Sequence, residues 1–503
     1  MKPTDPLRPD SPPKAIGSHE AVFWGGMTAL FEIASRLTAL VILSRLLPPA
    51  DFGLYGIGVS IALILATFAQ FGVPTNLIYL SHVDRKSFAA ASIFCLTSAA
   101  MVSTICALLL AVYGPVQDTA RNVLFAFLAY AAIQVFLDVL EALARRIFAF
   151  RSITFNDLAS TVVGSLLVPV VLALGGWGVW SLVVGQFVGA AIRLIGFLSI
   201  CRDFVGFRTT VAEMRRVASA GAAVTVAELA NIATVHAQRP LIGLELGAAA
   251  AGLWTRFYQV IFLQLALVIR PVDKFVLPKL ARNREQPEQV ERMTLLLIEL
   301  VTLVTIPLSV ITALIAPVAI PLAFGPEWTG LVVPMQIGAI TFFFRGIDRI
   351  LLTTARATGR VRSRAAAQIV QLAIVIGAIY AAAPGGLAMA AAAYVAAQAV
   401  SFAVMIGVFC VATGISVGRV ALRMIPGVAA GAALLADGLL MRSIEHDSIF
   451  SLQTGMRFLI SVAICILMVI ALRHLSFSTD LNRLFNQATL RLTRLWRGGR
   501  SHA

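Results

Sequence analysis

The chain has 503 residues, of which 59% are hydrophobic and only 13% charged, about half the charged fraction of an ordinary soluble domain. Apolar runs of about 20 residues recur along it, the length at which a helix crosses a bilayer, so soluble enzymes and extramembrane nucleic-acid readers are largely excluded. The net charge of +15 sits mainly in the loops between those runs, where it reads as a topology signal and not as affinity for nucleic acid.

The opening 20 residues, MKPTDPLRPDSPPKAIGSHE, combine five prolines with mixed charge. They lack the short apolar core and small-residue cleavage site of a signal peptide, so residues 1–21 are expected to be a disordered cytoplasmic leader. Spanning windows follow near 22–44, 53–78, 88–112, 122–144, 155–174 and 179–200. They make an N-terminal six-helix bundle over 22–200. A basic cytoplasmic connector, 201–217, leads to windows near 218–238, 248–272, 294–316, 331–355, 365–383 and 387–411, a second bundle over 218–411. Two additional spans, near 421–441 and 456–472, occupy 412–473. The tail 474–503 is basic and amphipathic and is expected to lie on the cytoplasmic lipid surface.

Lysine and arginine favour alternate loops by roughly seven to one, a bias that sets orientation and places both termini in the cytoplasm. The five cysteines, Cys95, Cys106, Cys201, Cys410 and Cys465, show no C-x-x-C spacing and read as small apolar packers. The predicted fold is therefore an all-α polytopic membrane protein of about 14 transmembrane helices.

An internal repeat is visible at an offset of 199 residues. It lays ELGAAAAGLWTRF, from Glu245, over LLPPADFGLYGIG, from Leu46, so that Gly53 meets Gly252 and Tyr55 meets Trp254. At the same offset Gly72, Val73 and Pro74 fall over Pro271, Val272 and Asp273. Six spans separate the copies, so the two bundles are parallel repeats, an arrangement that places a substrate site in a central cavity between halves.

The segment Arg45 to Gly58, RLLPPADFGLYGIG, resembles the opening hairpin of the oligosaccharide flippases often called Wzx or polysaccharide biosynthesis proteins. The Phe-Gly-Pro-Glu-Trp loop at Phe324 to Trp328 and the Ala-Thr-Gly-Arg helix end at Ala357 to Arg360 fit the same family. Spans 13 and 14 match only as the extra hydrophobic segments of its longer members. The family is part of the multidrug, oligosaccharidyl-lipid and polysaccharide exporter superfamily. The resemblance implies a bacterial inner-membrane protein that carries a polyprenyl-diphosphate-linked oligosaccharide from the cytoplasmic to the periplasmic leaflet by alternating access, for exopolysaccharide, capsule or lipopolysaccharide O-antigen assembly. Polysaccharide polymerase and chain-length proteins are the partners it suggests, and a monomer is the default.

Ionisable side chains in spans are costly and usually face a cavity or each other. Span 1 has Glu32 and Arg36 at i, i+4. Span 4 carries Gln134, Asp138, Glu141 and Arg145 as a stripe at i, i+4, i+7 and i+11. Span 7 gathers Thr225, Glu228, Asn231, His236 and Gln238, span 8 has Arg256 and Gln259, and span 10 has Arg345, Asp348 and Arg349. A diphosphate brings about two negative charges, which guanidiniums meet with paired hydrogen bonds. Arg36, Arg256, Arg345 and Arg349 are the substrate-binding candidates. For Arg36 the competing reading is a structural pair with Glu32, and for Arg345 and Arg349 it is pairing with Asp348 or helix packing. Arg193 and Arg270 read as snorkelling to headgroups, and Tyr55 and Trp254 as interfacial anchors.

No P-loop occurs, and no cofactor or metal is expected. A proton or sodium gradient is the expected drive, with Glu228, Asp138 and then Glu32 as ion-coupling candidates and a salt bridge to a nearby arginine as their competing reading; His236 is a further proton-carrier candidate, for which the competing reading is a hydrogen-bonded packer. The rival readings are a multidrug cation antiporter, whose cavity calls for acidic or aromatic lining, and a membrane glycosyltransferase or polymerase, which calls for a large external loop. The short external loops and the excess of arginine over carboxylate in spans 8 and 10 speak against both.

Overall fold

The computed structural model describes residues 18–79, 85–113, 117–206, 209–282, 286–357 and 361–444. Residues 1–17 of the leader, the fourteenth predicted span, the C-terminal tail and the Arg360 helix end lie outside the described residues, as does the side chain of Arg270; the last four residues of the expected leader, 18–21, are helical and open α1. All regular structure among the described residues is helical. In chain order the helices are α1 (Ser18–Leu46), α2 (Pro49–Gln70), α3 (Val73–Tyr79), α4 (Arg85–Tyr113), α5 (Asp118–Arg146), α6 (Phe150–Ser160), α7 (Val168–Leu174), α8 (Val179–Cys201), α9 (Val211–His236), α10 (Gln238–Arg282), α11 (Pro287–Phe324), α12 (Val332–Gly338), α13 (Thr341–Ala357), α14 (Val361–Ala382), α15 (Leu387–Thr413) and α16 (Val417–Ile444).

Thirteen of the fourteen predicted spans are occupied by these helices. Among the described residues nine helices are long and apolar enough to cross a membrane, or ten if Pro326–Gly338 and Thr341–Leu351, bent by 53°, form one span. The outward faces are apolar: Leu108, Leu109 and Val112 of α4 and Leu422, Ile425 and Leu439 of α16 are all exposed, while Gln134, Glu299 and Gln398 are buried. Such an inside-out distribution suits hydrocarbon surroundings, and the chain is a multi-pass membrane protein.

The chain forms two compact units. Among the described residues, the first comprises those within 18–257, 320–331 and 368–390, and the second those within 258–319, 332–367 and 391–444.

In the first unit, α2, α4, α5, α8 and α9 surround a core of Phe88, Val123, Phe127, Val135, Leu140 and Phe197. Helix α2 begins with Pro49 in its first turn, where a missing N–H costs nothing. It ends at Phe71 (φ 48°) and Gly72 (φ 64°) in the left-handed region, and α3 starts at once. Its repeat partner α10 shows no such break at the equivalent Arg270–Pro271, so the duplicated hairpins have diverged there.

They have not diverged at their other end. A Cβ on Gly53 would collide with the carbonyl oxygen of Ala248, and one on Gly252 would collide with that of Pro49. Pro49 and Ala248 are themselves 199 residues apart, so the two contacts are copies of one contact exchanged between repeats. Gly56 abuts Thr255, again its own equivalent. The two hairpins cross backbone to backbone on a local pseudo-twofold axis, a separation only glycine permits.

In the second unit, α16 is more than an appended hydrophobic segment. Gly427, Gly431 and Gly438 abut Thr302, Ile306 and Leu314 of α11. At the same face Arg423 donates to Glu299 at 2.8 Å, and the Glu299 side chain is 3% exposed. Arg419 pairs with Glu291 one turn earlier.

Gly252→Ala should lower the stability of the purified protein by about 3 kcal/mol, since backbone cannot yield as a side chain does. Gly377→Ala, where nothing lies within 4 Å, should be neutral or stabilising by up to about 1 kcal/mol; thermal melts in detergent distinguish the two signs. Arg423→Ala strands a buried carboxylate and should cost about 3–5 kcal/mol, with much of the loss recovered by adding Glu299→Gln.

Candidate functional site

Three sequence motifs that lie far apart in the chain meet in the first unit. Arg45 donates to the carbonyls of Leu322 and Ala323 at the end of α11. These acceptors belong to the last turn of a helix, whose carbonyls lack partners of their own. Gly325 (φ 106°) then turns the chain, and Trp328 enters the bundle, fully buried, where its Nε1 donates to the Ser44 carbonyl at 2.8 Å. The Phe52 ring packs edge-on against Trp328 with centroids 5.4 Å apart.

Arg256 completes this cluster. Its side chain is 3% exposed, and its guanidinium carbon lies 3.8 Å from the Phe52 ring centroid and 5.5 Å from that of Trp328. An aromatic face returns about 2 kcal/mol of the charge stabilisation that a guanidinium loses when water is removed. Arg239 donates to Ser60 Oγ and to His236 Nδ1, each at 3.0 Å. His236 is thus a hydrogen-bonded packer. Arg36 makes the predicted intrahelical pair with Glu32 at 2.8 Å, its side chain 54% exposed. Arg36, Arg239 and Arg256 all act electrostatically on the hydroxyl of Tyr55.

The polar stripe of α5 is also in place, and it is longer than the sequence indicated. Asp138 accepts from Gln134 Nε2 at 2.7 Å on Oδ1 and from Gln70 Nε2 on Oδ2. Gln134 Oε1 accepts from the Tyr130 hydroxyl at 2.9 Å. Tyr130 in turn accepts from Gln186 Nε2 at 2.7 Å, and Gln186 Oε1 accepts from the Tyr55 hydroxyl at 2.8 Å. Below Asp138, Glu141 receives Arg193 at 2.6 Å as well as Arg145.

Two expectations are overturned here. Arg193 does not snorkel: it bridges Glu141 on α5 and Asp157 on α6, the latter at 3.3 Å, because carboxylates on two neighbouring helices lie within reach of its guanidinium. Trp254 is not an interfacial anchor but is wholly buried, with Nε1 donating to Gln238 at 3.3 Å and its ring against Phe257. Tyr55 is half-buried and committed to Gln186. Glu228, on α9, accepts from Thr75 Oγ1 of α3 at 2.8 Å.

In the second unit, Arg345 donates to the hydroxyls of Tyr258 at 2.9 Å and Tyr394 at 3.2 Å. The two phenols are 2.8 Å apart, and Gln398 Nε2 donates to Tyr394 at 3.0 Å. Asp348 also acts electrostatically on Arg345. Arg349 is half-buried on the same helix. Tyr258, Tyr394 and Gln398 were not singled out from sequence; a phenol pair carries no periodic signal. Among the described residues no group of three or more His, Cys, Asp or Glu side chains could hold a metal. Cys95, Cys201 and Cys410 are free and buried, and Cys106 is free and half-buried.

A family model described as Polysaccharide biosynthesis protein matches residues 42–334. The succinoglycan biosynthesis transport protein ExoT of Rhizobium meliloti is 22% identical over 383 residues, covering 70% of this chain and 76% of that protein. The lipopolysaccharide biosynthesis protein WzxC of Escherichia coli is 18% identical over 347 residues, covering 67% of this chain and 69% of the relative. Among solved structures, the lipid II flippase MurJ in an inward closed conformation matches with a TM-score of 0.69 at 10% identity, over 93% of this chain and 100% of its own. An inward-facing multidrug resistance MATE family transporter matches with a TM-score of 0.56 at 14% identity, over 76% of this chain and 96% of its own. Both structural likenesses establish a shared fold.

The stacking of Arg256 on Phe52 is measurable by a double-mutant cycle on thermal stability. Phe52→Leu and Arg256→Met should show a coupling of about 1–2 kcal/mol, the range for a desolvated cation on a ring. A coupling near zero would assign the cost of each change to packing alone.

Proposed function

Because the chain belongs to the polysaccharide biosynthesis protein family, we propose that it is a flippase that moves a lipid-linked oligosaccharide from the cytoplasmic to the periplasmic leaflet of a bacterial inner membrane. The observation that carries this reading is the family match over residues 42–334. The relatives named for succinoglycan transport and lipopolysaccharide biosynthesis support it. The MATE likeness is one of fold, and it leaves the cation antiporter as the lesser reading.

A polyprenyl diphosphate presents about two negative charges that must leave the headgroup layer, and guanidiniums replace the lost hydration. Arg256 and Arg345 are the leading contacts. Aromatic rings hold Arg256 and phenols hold Arg345, so both guanidiniums are fixed in place before a ligand arrives. Arg36 and Arg349 extend the set; recruiting Arg36 means exchanging Glu32 for the substrate. Transport is driven by a proton or sodium gradient, with Asp138 and Glu228 as the coupling carboxylates and Glu32 behind them. The protein works as a monomer with both termini in the cytoplasm, alongside a polymerase and chain-length proteins, and performs no covalent chemistry itself.

Deleting the gene should leave lipid-linked oligosaccharide accumulated on the cytoplasmic face, readable by its protection from externally added glycosidases. Arg256→Ala and Arg345→Ala should lower export at least about tenfold, corresponding to about 1.4 kcal/mol, at normal membrane abundance, and Lys should restore only part. Wild-type export from both Ala variants would remove them from the substrate path. Loss of a glycosidic linkage in the deletion strain, in place of accumulation, would point to an enzyme.

A further inference from the structure

The five side chains from Tyr55 to Asp138 form a string of hydrogen bonds with a single direction. Tyr55 donates to Gln186, Gln186 to Tyr130, Tyr130 to Gln134, and Gln134 to Asp138. The string ends on a carboxylate that accepts at both oxygens, since Gln70 donates to Oδ2. That pattern fits the ionised acid, which has acceptors only.

A proton arriving on Asp138 Oδ1 makes that oxygen a donor. Gln134 must then turn its amide to present Oε1, which points its Nε2 at the Tyr130 oxygen. Tyr130 must then donate to Gln186, whose amide turns in the same way and points Nε2 at Tyr55. The reversal cannot stop midway, because two donors facing each other in the interior cost about 1–3 kcal/mol. Only one proton enters; every other proton stays on its own atom. At the far end the Tyr55 hydrogen leaves Gln186.

Two guanidiniums are held against the helix that carries that hydroxyl. Arg256 lies over Phe52, nearly one turn before Tyr55 on α2, and Arg239 is bonded to Ser60 further along the same helix. Together with Arg36 they act on the Tyr55 hydroxyl. The acceptor suited to an O–H on a helix that also holds Arg256 and Arg239 is an anion that those two cations hold; Arg36 is already paired with Glu32.

We propose that the Tyr55 hydroxyl is a proton-gated donor to the anionic diphosphate of the substrate, switched through Gln186, Tyr130 and Gln134 by protonation of Asp138. This rests on the diphosphate reading above and adds to it a binding residue, three positioning residues and a proton as the coupling ion. The titratable and charged groups acting on Asp138 or facing it are Glu141 and Tyr130 on its own helix, Arg193 from α8 and Cys95 from α4. Both oxygens of Asp138 meet N–H groups, whereas a sodium ion would need oxygen ligands there.

The test is calorimetric titration of farnesyl diphosphate into the full-length protein in lipid nanodiscs, in two buffers of different ionisation enthalpy at one pH. The difference in heat counts the protons taken up, and the ligand's own titration is common to all variants. Wild type should take up a larger fraction of a proton per ligand than Gln134→Leu or Tyr55→Phe, and Tyr55→Phe should bind at least about threefold more weakly at low pH. Asp138→Asn should bind with the affinity of the protonated wild type and with the excess uptake gone. Equal uptake in wild type, Gln134→Leu and Tyr55→Phe overturns the relay and leaves the diphosphate reading standing. Uptake lost in Asp138→Asn and Gln70→Leu but kept in Tyr55→Phe means the proton is answered at Oδ2 by Gln70, which also overturns it. Failure of wild type to bind farnesyl diphosphate at all removes the diphosphate reading and the relay's role with it.

Discussion

The crossing of two backbones at Gly53 and Gly252 fixes the geometry on which the rest of the first unit depends. Each glycine lies against a carbonyl of the opposite hairpin, so neither hairpin can slide without a steric collision that no rotamer relieves. Everything chemically interesting nearby is referenced to that contact. Phe52 precedes Gly53 and supports Arg256; Tyr55 follows it and opens the string to Asp138. Thr255, beside Arg256, is the residue Gly56 touches. A duplication that began as two equal hairpins has kept its symmetric contact and specialised the residues on either side of it.

The interior solves one electrostatic problem in several ways. In hydrocarbon, polar groups find partners within the protein or face a wet cavity. Glu141, Arg193 and Asp157 satisfy each other across helices. Arg256 is accommodated by rings and Arg345 by phenols. Asp138 is accommodated by amides. Mutual ion pairs cancel each other's charge, whereas rings, phenols and amides hold a charge in place without cancelling it. Glu141, Arg193 and Asp157 are of the first kind, and so is Arg36 with Glu32, which must give up its pair before it can serve a ligand.

Much of this was legible in the sequence where a period carried it. The i, i+4, i+7, i+11 stripe on α5 and the Glu32–Arg36 pair follow from helical spacing, and both are seen. The repeat offset matched Gly53 to Gly252, but that the two residues touch is a tertiary fact about where the pseudo-axis runs. Arg193 misled because its depth suggested headgroups, while Asp157 comes from another helix. Tyr130, Gln186 and Tyr55 escaped notice as a set because amides and phenols in apolar helices resemble packers and anchors until their partners are known. The spans themselves were clear, since apolar length is a one-dimensional property.

The lock between α16 and α11 bears on how such a chain is assembled over evolutionary time. A helix accreted at the rim of a bundle would leave its host able to live without it. Here the host carries Glu299, a carboxylate that the newcomer's Arg423 neutralises, and a row of residues shaped to receive glycines. The two helices have therefore become mutually obligate, and positions 299 and 423 should covary among descendants: charge on both or on neither.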